Sequence, residues 1–172
     1  MMTDDQGNII SENLAANGAD NLPQIGLLTQ YIKDMSVENP NAPESYNWET
    51  QPQIDVQVNI AARNVSGEMY EVELKMDIKA HGEQGVSFAV ELVYCGLFGI
   101  RNVTDEQAHP FLYAEAPRLI FPFARRILAD AVRDCGYAPL MLDPIDFNAL
   151  YLQQRAQAAT EAVLQDPPAG NA

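Results

Sequence analysis

The sequence predicts an α+β fold, a four-stranded antiparallel meander sheet followed by helices. Short joints that contain glycine, residues 64–67 and 82–85, separate three of the predicted strands, as hairpins require. Helical patterns occur only after residue 104. Strands followed by helices indicate helices packed against one face of a sheet. Three segments alternate apolar and polar residues with the period of a half-buried strand: Gln53–Ala62, Met69–His81 and Val86–Tyr94.

The domain is predicted to span residues 24–165, and its first strand runs over Ile25–Glu38. Residues 1–23 mix Asn, Ala, Gly, Asp and Ser without periodicity, which predicts a disordered acidic tail. Residues 166–172 contain Pro-Pro-Ala-Gly and are predicted to form a second disordered tail.

The helical half carries recognisable start and stop signals. Thr104 followed by Gln107 predicts a capping box. Pro122 is expected in the first turn of a longer helix ending at Cys135, because Gly136 suits the position just after a helix. A further helix is predicted to begin at residue 143 or 146. The long helix has an apolar stripe of Phe123, Ile127 and Ala131, with Leu128 and Val132 beside it.

The charge balance restricts the class of partner. The chain has 24 acidic and 10 basic residues, a net charge of −14, and from residue 1 to 62 its only basic residue is Lys33. Nucleic acid and anionic membranes are poor partners for such a chain, whereas a basic protein or peptide is a good one. We expect no direct membrane insertion, because no apolar run reaches the length of a membrane span. The acidic N-terminus predicts no signal peptide and therefore a cytoplasmic protein.

No motif in the sequence predicts catalysis. His81 and His109 are isolated, and there is no glycine-rich phosphate loop or metal-binding spacing. Cys95 and Cys135 are too few for a disulfide framework and are most simply buried small side chains. We therefore expect a protein that is not an enzyme and binds no metal or cofactor.

Two features point to binding surfaces. Asp34 and Glu38 are four residues apart in a strand, so both carboxylates lie on one face, roughly 13 Å apart. That gap is too wide for paired acid–base catalysis, but it suits a basic partner or an edge strand kept soluble by charge. Tyr46 and Trp48 lie in a proline-flanked polar loop, where the Trp is either a lid over the core or part of a binding surface.

Five segments together resemble the SecB family of bacterial export chaperones, and the resemblance covers residues 27–154 in the family's order and spacing. It favours the binding role for both features. The segments are Tyr31–Pro43, Tyr70–Ala80, Phe88–Phe98, Ala116–Leu128 and Pro139–Gln154.

The resemblance implies an ATP-independent holdase without a cofactor. Such a chaperone binds unfolded precursor proteins, keeps them competent for translocation and delivers them to SecA, whose C-terminal tail is basic and carries zinc. It also implies a homotetramer built as a dimer of dimers, in which first strands pair across the dimer and long helices pack between two sheets.

The resemblance also assigns residues to these contacts. For SecA docking it implies Asp34, Glu38 and Glu91, with Ala89 standing where the family has a leucine. For the client-binding groove it implies Tyr46, Trp48, Phe88, Leu97 and Phe98. For the oligomer interface it implies Val90, Leu92, Tyr94, Phe123, Ile127 and Ala131.

Two alternatives remain open at this point. One is a SecB-like chaperone dedicated to an antitoxin. The other is a small-ligand-binding α+β domain that uses the groove around Trp48.

Overall fold

A computed structural model describes residues 21–165, except the side chain of Gln165. The tails predicted at residues 1–23 and 166–172 lie outside this range, apart from residues 21–23. Four strands form one antiparallel sheet: β1 (Gln24–Glu38), β2 (Gln53–Ser66), β3 (Met69–Gly82) and β4 (Gly85–Arg101). The predicted α+β class, an antiparallel sheet followed by helices, is confirmed.

The order of the strands differs from a simple meander in one respect. The sheet order is β1-β4-β3-β2, so β2, β3 and β4 form the meander, while β1 pairs with β4. A crossover loop, residues 39–52, therefore carries the chain from one edge of the sheet to the other. The predicted meander is therefore wrong for β1, because the alternation of side chains indicates which face a strand buries but not which neighbour it pairs with.

Three helices follow the sheet: α1 (Asp105–Pro110), α2 (Ala116–Asp134) and α3 (Phe147–Gln165). The capping box of Thr104 and Gln107 is present, and Gly136 after α2 has a positive φ of 91°. The carboxylate of Asp146 accepts a hydrogen bond from the Ala149 backbone at 2.9 Å, which caps α3 at one of the two predicted starting points.

The predicted start of the long helix at Pro122 is wrong. The helix begins six residues earlier, with Pro117 in its first turn and Pro122 in its interior. Pro117 is tolerated because the first N–H groups of a helix have no partner within it. The preceding segment, Phe111–Glu115, is a π-helical stretch that joins α1 to α2.

The core lies between α2 and one face of the central strands β3 and β4. In that core the even-numbered residues of the two strands pack against α2. The row of α2 that they contact consists of Ile120, Ala124, Leu128 and Val132. The stripe predicted on α2 is therefore divided between two environments. Leu128 and Val132 are buried, whereas Phe123 is 43% exposed and Ile127 and Ala131 are half-buried. The opposite face of the sheet, here called the open face, faces away from the helices.

Candidate functional site: an acidic sheet face and a groove under the crossover loop

The predicted docking acids lie together on the open face. Ser36 of β1 pairs with Glu91 of β4, and Glu38 pairs with Ala89. Because directly opposed residues in an antiparallel pair share a face, Asp34, Glu38 and Glu91 form one surface, here called the acidic surface. All three side chains are exposed and Ala89 is half-buried.

A shallow concavity of about 440 Å³ extends the acidic surface across the sheet. The register brings Asp77 of β3 opposite Glu91 and Lys79 opposite Ala89, and Asp55 of β2 lies opposite Lys79. Four acids and one lysine therefore contribute to its wall, which leaves a net negative charge: Glu38, Asp55, Asp77, Glu91 and Lys79. Asp55 and Asp77 were not identified from the sequence, since only the strand pairing reveals their proximity.

An ionic network centred on one buried carboxylate occupies the neighbouring part of the open face. Glu71 is only 4% exposed. It accepts hydrogen bonds from Lys33 Nζ at 2.9 Å, from Arg63 Nε at 2.8 Å and from the Tyr31 hydroxyl. Lys33 also pairs with Glu73. The network joins β1, β2 and β3, and no motif in the sequence indicated it.

The network shifts the ionisation of its members. Burial alone would raise the pKa of Glu71, but the hydrogen bonds from Tyr31, Lys33 and Arg63 outweigh it and lower that pKa to about 2. Burial, followed by the hydrogen bond to Glu71, raises the pKa of Tyr31 well above its ordinary value. Glu71 is therefore a carboxylate at neutral pH and Tyr31 a neutral donor.

Among the described residues, one group of three side chains has the spacing of metal ligands: Glu71, Glu73 and Cys95. Lys33 already pairs with both carboxylates. Burial, with the charges of Glu71 and Glu73, raises the pKa of the Cys95 thiol to about 12, so the thiol is protonated at neutral pH. The group therefore suits an internal ionic network better than a cation.

A second concavity, of about 350 Å³, lies on the helix side under the crossover loop. Trp48 is half-buried in its wall and Tyr46 is largely exposed. The rest of the wall comes from residues 49–52 of the loop, the start of β4 at Ser87, and the segment after α2, including Gly136 and Tyr137. The crossover loop therefore brings two of the predicted groove residues to one concavity.

The other predicted groove residues lie elsewhere. Phe88 and Phe98 are buried in the core, and Phe88 reaches the groove only through its ring contact with Tyr137, with centroids 5.2 Å apart. Leu97 is half-buried on the open face, opposite Glu71. Even-numbered positions of β4 point to the helices, so the same alternation that predicts the strand also places these aromatic side chains inside.

The predicted interface residues also divide between the core and the surface. Val90, Leu92 and Tyr94 belong to the chain's own core, beneath α2. Phe123, Ile127 and Ala131 form a partly exposed row on α2 beside the buried row. Apolar side chains of β1 on the helix side are also exposed: Ile25, Leu27, Ile32 and Val37.

Within residues 21–165, no helix is both long enough and apolar enough to cross a membrane. The sequence model of the family described as "Preprotein translocase subunit SecB" matches residues 18–158. The chain belongs to the SecB family. It is therefore a protein-export chaperone.

SecB proteins from other bacteria align with nearly the whole chain. The relative named "Protein-export protein SecB" from Novosphingobium aromaticivorans is 61% identical, over 98% of this chain and 99% of its own length. The relative of the same name from Sphingopyxis alaskensis is 51% identical, over 100% of this chain and 100% of its own length. The one from Zymomonas mobilis is 55% identical, over 93% of this chain and 96% of its own length.

Among solved structures, a SecB-like chaperone of Mycobacterium tuberculosis in complex with a peptide from an antitoxin has the same fold. The TM-score is 0.57 at 14% identity, over 72% of this chain and 90% of the other. At this identity the likeness supports the SecB fold alone. The near full-length relatives carry the export name, so export takes precedence over a role dedicated to an antitoxin.

Proposed function

We propose that this chain is a cytoplasmic, ATP-independent holdase. It binds unfolded precursor proteins, keeps them competent for translocation and transfers them to SecA, without catalysis and without a cofactor. The observation that carries the proposal is that the two faces of one sheet differ in chemistry. The open face presents the acidic surface, whereas the helix side presents exposed apolar side chains beside a groove.

The helix side supplies the client surface. Trp48 forms one wall of the groove, and the chain continues from the crossover loop into β2. On that strand Ile54 and Val56 are 40% and 41% exposed. An extended client could lay alternate apolar side chains along this surface. Many weak contacts along a client then sum to a useful affinity without a specific sequence.

The acidic surface supplies the SecA contact. Asp34, Glu38 and Glu91 are exposed on one face, and the charged residues that line the concavity there are four acids and one lysine. A basic, zinc-bearing tail is attracted to such a surface, and salt weakens the attraction. Client and SecA thus bind opposite faces, so a loaded chaperone can still dock.

Assembly into a homotetramer, a dimer of dimers, would cover the apolar side chains that remain exposed. The partly exposed row of Phe123, Ile127 and Ala131 on α2 is available for packing against a second copy. The outer edge of β1 and its exposed apolar residues suit pairing of first strands. Val90, Leu92 and Tyr94 would support this interface only from within the core.

The direct test measures the aggregation of an unfolded precursor by light scattering, with and without the purified protein and without ATP. We expect aggregation to be suppressed near one tetramer per precursor. The control uses the same precursor after it has folded, for which no complex should form. Aggregation that proceeds unchanged at a tenfold excess of the protein would contradict the proposal.

A further inference from the structure

The crossover loop is fastened to the body of the protein through its first half. Side chains of Asn39, Asn41, Ser45 and Tyr46 make hydrogen bonds to residues outside the loop. Within the described chain, residues 49–52 make no side-chain hydrogen bond. Trp48 lies at the boundary, where its backbone N–H donates to the Ser45 carbonyl at 3.3 Å. The position of Trp48 therefore depends on how the first half of the loop is held.

The first anchor is at the C-terminal end of α2. The Cys135 carbonyl, which follows the last residue of the helix, accepts hydrogen bonds from the Tyr46 hydroxyl at 2.7 Å and from Asn39 Nδ2 at 2.9 Å. Asn39 Nδ2 also lies 3.0 Å from the Tyr46 hydroxyl. Carbonyls at a helix end lack partners within the helix, so these side chains satisfy a group that otherwise needs water.

Gly136 makes this anchor possible. Its φ of 91° lies in the left-handed region, and a Cβ there would be 3.0 Å from the Tyr46 ring. The absence of a side chain lets the Tyr46 ring come close to the end of the helix, so the hydroxyl reaches the Cys135 carbonyl.

The second anchor is Tyr137. Its hydroxyl lies 2.6 Å from Ser45 Oγ, 3.2 Å from the Ser87 carbonyl and 3.4 Å from Asn39 Oδ1. A phenol has one proton to donate, so Ser45 donates to it while it donates to one of the other two oxygens. Ser45 is only 5% exposed, and the Tyr137 ring contacts the Tyr46 ring with centroids 5.4 Å apart. The two anchors therefore form one connected cluster.

We propose that Asn39, Tyr46 and Tyr137 are positioning residues for client binding, which hold Trp48 in the groove wall by tying the crossover loop to the end of α2. The proposal rests on the holdase function proposed above. A wall that is already ordered costs less conformational entropy when a client binds, so the anchors favour the complex without necessarily touching the client. They also connect the groove to α2, the helix proposed for assembly.

The test uses Trp48 as its own reporter, because it is the only tryptophan in the chain. Tyr46→Phe and Tyr137→Phe each remove one hydroxyl and keep the ring. We expect acrylamide to quench Trp48 more strongly in both variants. We also expect client affinity, measured by titration with an unfolded precursor, to fall about fivefold, the factor that one lost hydrogen bond represents. The loss of client affinity in the double variant should be smaller than the product of the two single losses, because both hydroxyls belong to one cluster.

Thr104→Ala is the matched control. It removes the cap of α1, remote in sequence from the loop and the end of α2, and costs about as much stability as a lost hydroxyl contact. Trp48 quenching and client affinity should match the wild type in this variant, which separates positioning from a general loss of stability.

Two results would overturn the proposal. If quenching does not change, the anchors do not hold Trp48. If quenching rises while client affinity stays at the wild-type value, the anchors hold Trp48 but do not serve client binding. In both cases the holdase function stands. If the wild-type protein itself binds no unfolded precursor, both proposals fail.

Discussion

Glu38 of β1 lies directly opposite Ala89 of β4 on the open face of the sheet. The pair combines a carboxylate with a small apolar side chain at one end of the acidic surface. In a residue-by-residue match to the SecB family, a leucine is expected at position 89. The electrostatic part of the proposed SecA contact is therefore complete here, while its apolar part is reduced.

Replacing Ala89 with leucine should strengthen SecA-tail binding. The larger side chain adds apolar area beside Glu38, and even partial burial of the added carbons corresponds to about a fivefold gain in affinity. Isothermal titration with the basic tail peptide measures this. Ala89 is half-buried and faces away from the core, so the melting temperature should hardly move. An unchanged or weaker affinity would show that the tail does not pass over position 89.

Neutralising the acidic surface should weaken tail binding and spare the fold. Exposed charges are individually worth about 0–1 kcal/mol to stability, so Asp34→Asn with Glu91→Gln should leave the melting temperature within a few degrees of the wild type. Affinity for the tail peptide should fall, and raising salt should weaken the wild type similarly. Client holding should be unchanged, because that contact is apolar.

The matched control for this pair is Asp143→Asn with Glu161→Gln. Both residues are exposed and lie outside the sheet, and the change in net charge is the same. The control should bind the tail as the wild type does. Equal losses in the two double variants would mean that total charge, rather than the acidic surface, attracts the tail.

Trp48→Ala should weaken client binding by about tenfold, the usual effect of removing an aromatic anchor from an interface. Trp48→Phe should retain most of the affinity. The proposed tetramer, measured by light scattering, should persist in both variants, since Trp48 is not among the residues proposed for assembly. A loss of cooperative unfolding in Trp48→Ala would identify the Trp as a lid over the core instead.

Phe123→Glu should reduce the tetramer to smaller species at micromolar concentration. The side chain is 43% exposed in the single chain, so a charge is tolerated there, but it cannot be buried against a second copy without a partner. Leu152→Glu, at an exposed apolar position of α3, is the control and should remain a tetramer. Native mass spectrometry distinguishes the two. A tetrameric Phe123→Glu variant would exclude this row from the interface.

The ionic network predicts a specific loss of stability in acid. The pKa of Glu71 is about 2 in the folded chain against 4.5 in the reference state, so its contribution is present above pH 4.5 and disappears as the pH falls towards 2. The shift corresponds to at most about 3 kcal/mol. Chemical denaturation at several pH values measures the free energy of unfolding. Between pH 4.5 and 2 this free energy should fall less steeply for Glu71→Gln than for the wild type. Glu115→Gln, at a partly exposed carboxylate whose pKa is lowered by the hydrogen bond from Arg118, should change the acid slope much less, because water screens that pair.

The sequence was sufficient for the elements that depend on local patterns. Alternation identified β2, β3 and most of β4. The capping box identified the start of α1, and Gly136 identified the C-terminal end of α2. The family segments indicated Asp34, Glu38 and Glu91, whose docking role stays a prediction. The alternation of a strand was enough to place Asp34 and Glu38 on one face, because no bulge lies between them. The start of α2 was misplaced because Pro117 and Pro122 each satisfy the local rule for a first turn.

What the sequence by itself determined is therefore the class of fold, the family and the face that β2, β3 and β4 bury, whereas two bulges change the alternation of β1. Only the tertiary structure decided which residues meet. It placed β1 beside β4 and brought Asp55 and Asp77 into one concavity with Glu91. It also closed Tyr31, Lys33 and Arg63 around Glu71, and it placed Tyr46 and Asn39 within hydrogen-bond distance of the Cys135 carbonyl. The physical reason is that helix and strand signals act over a few residues, whereas these contacts join residues 8 to 96 positions apart.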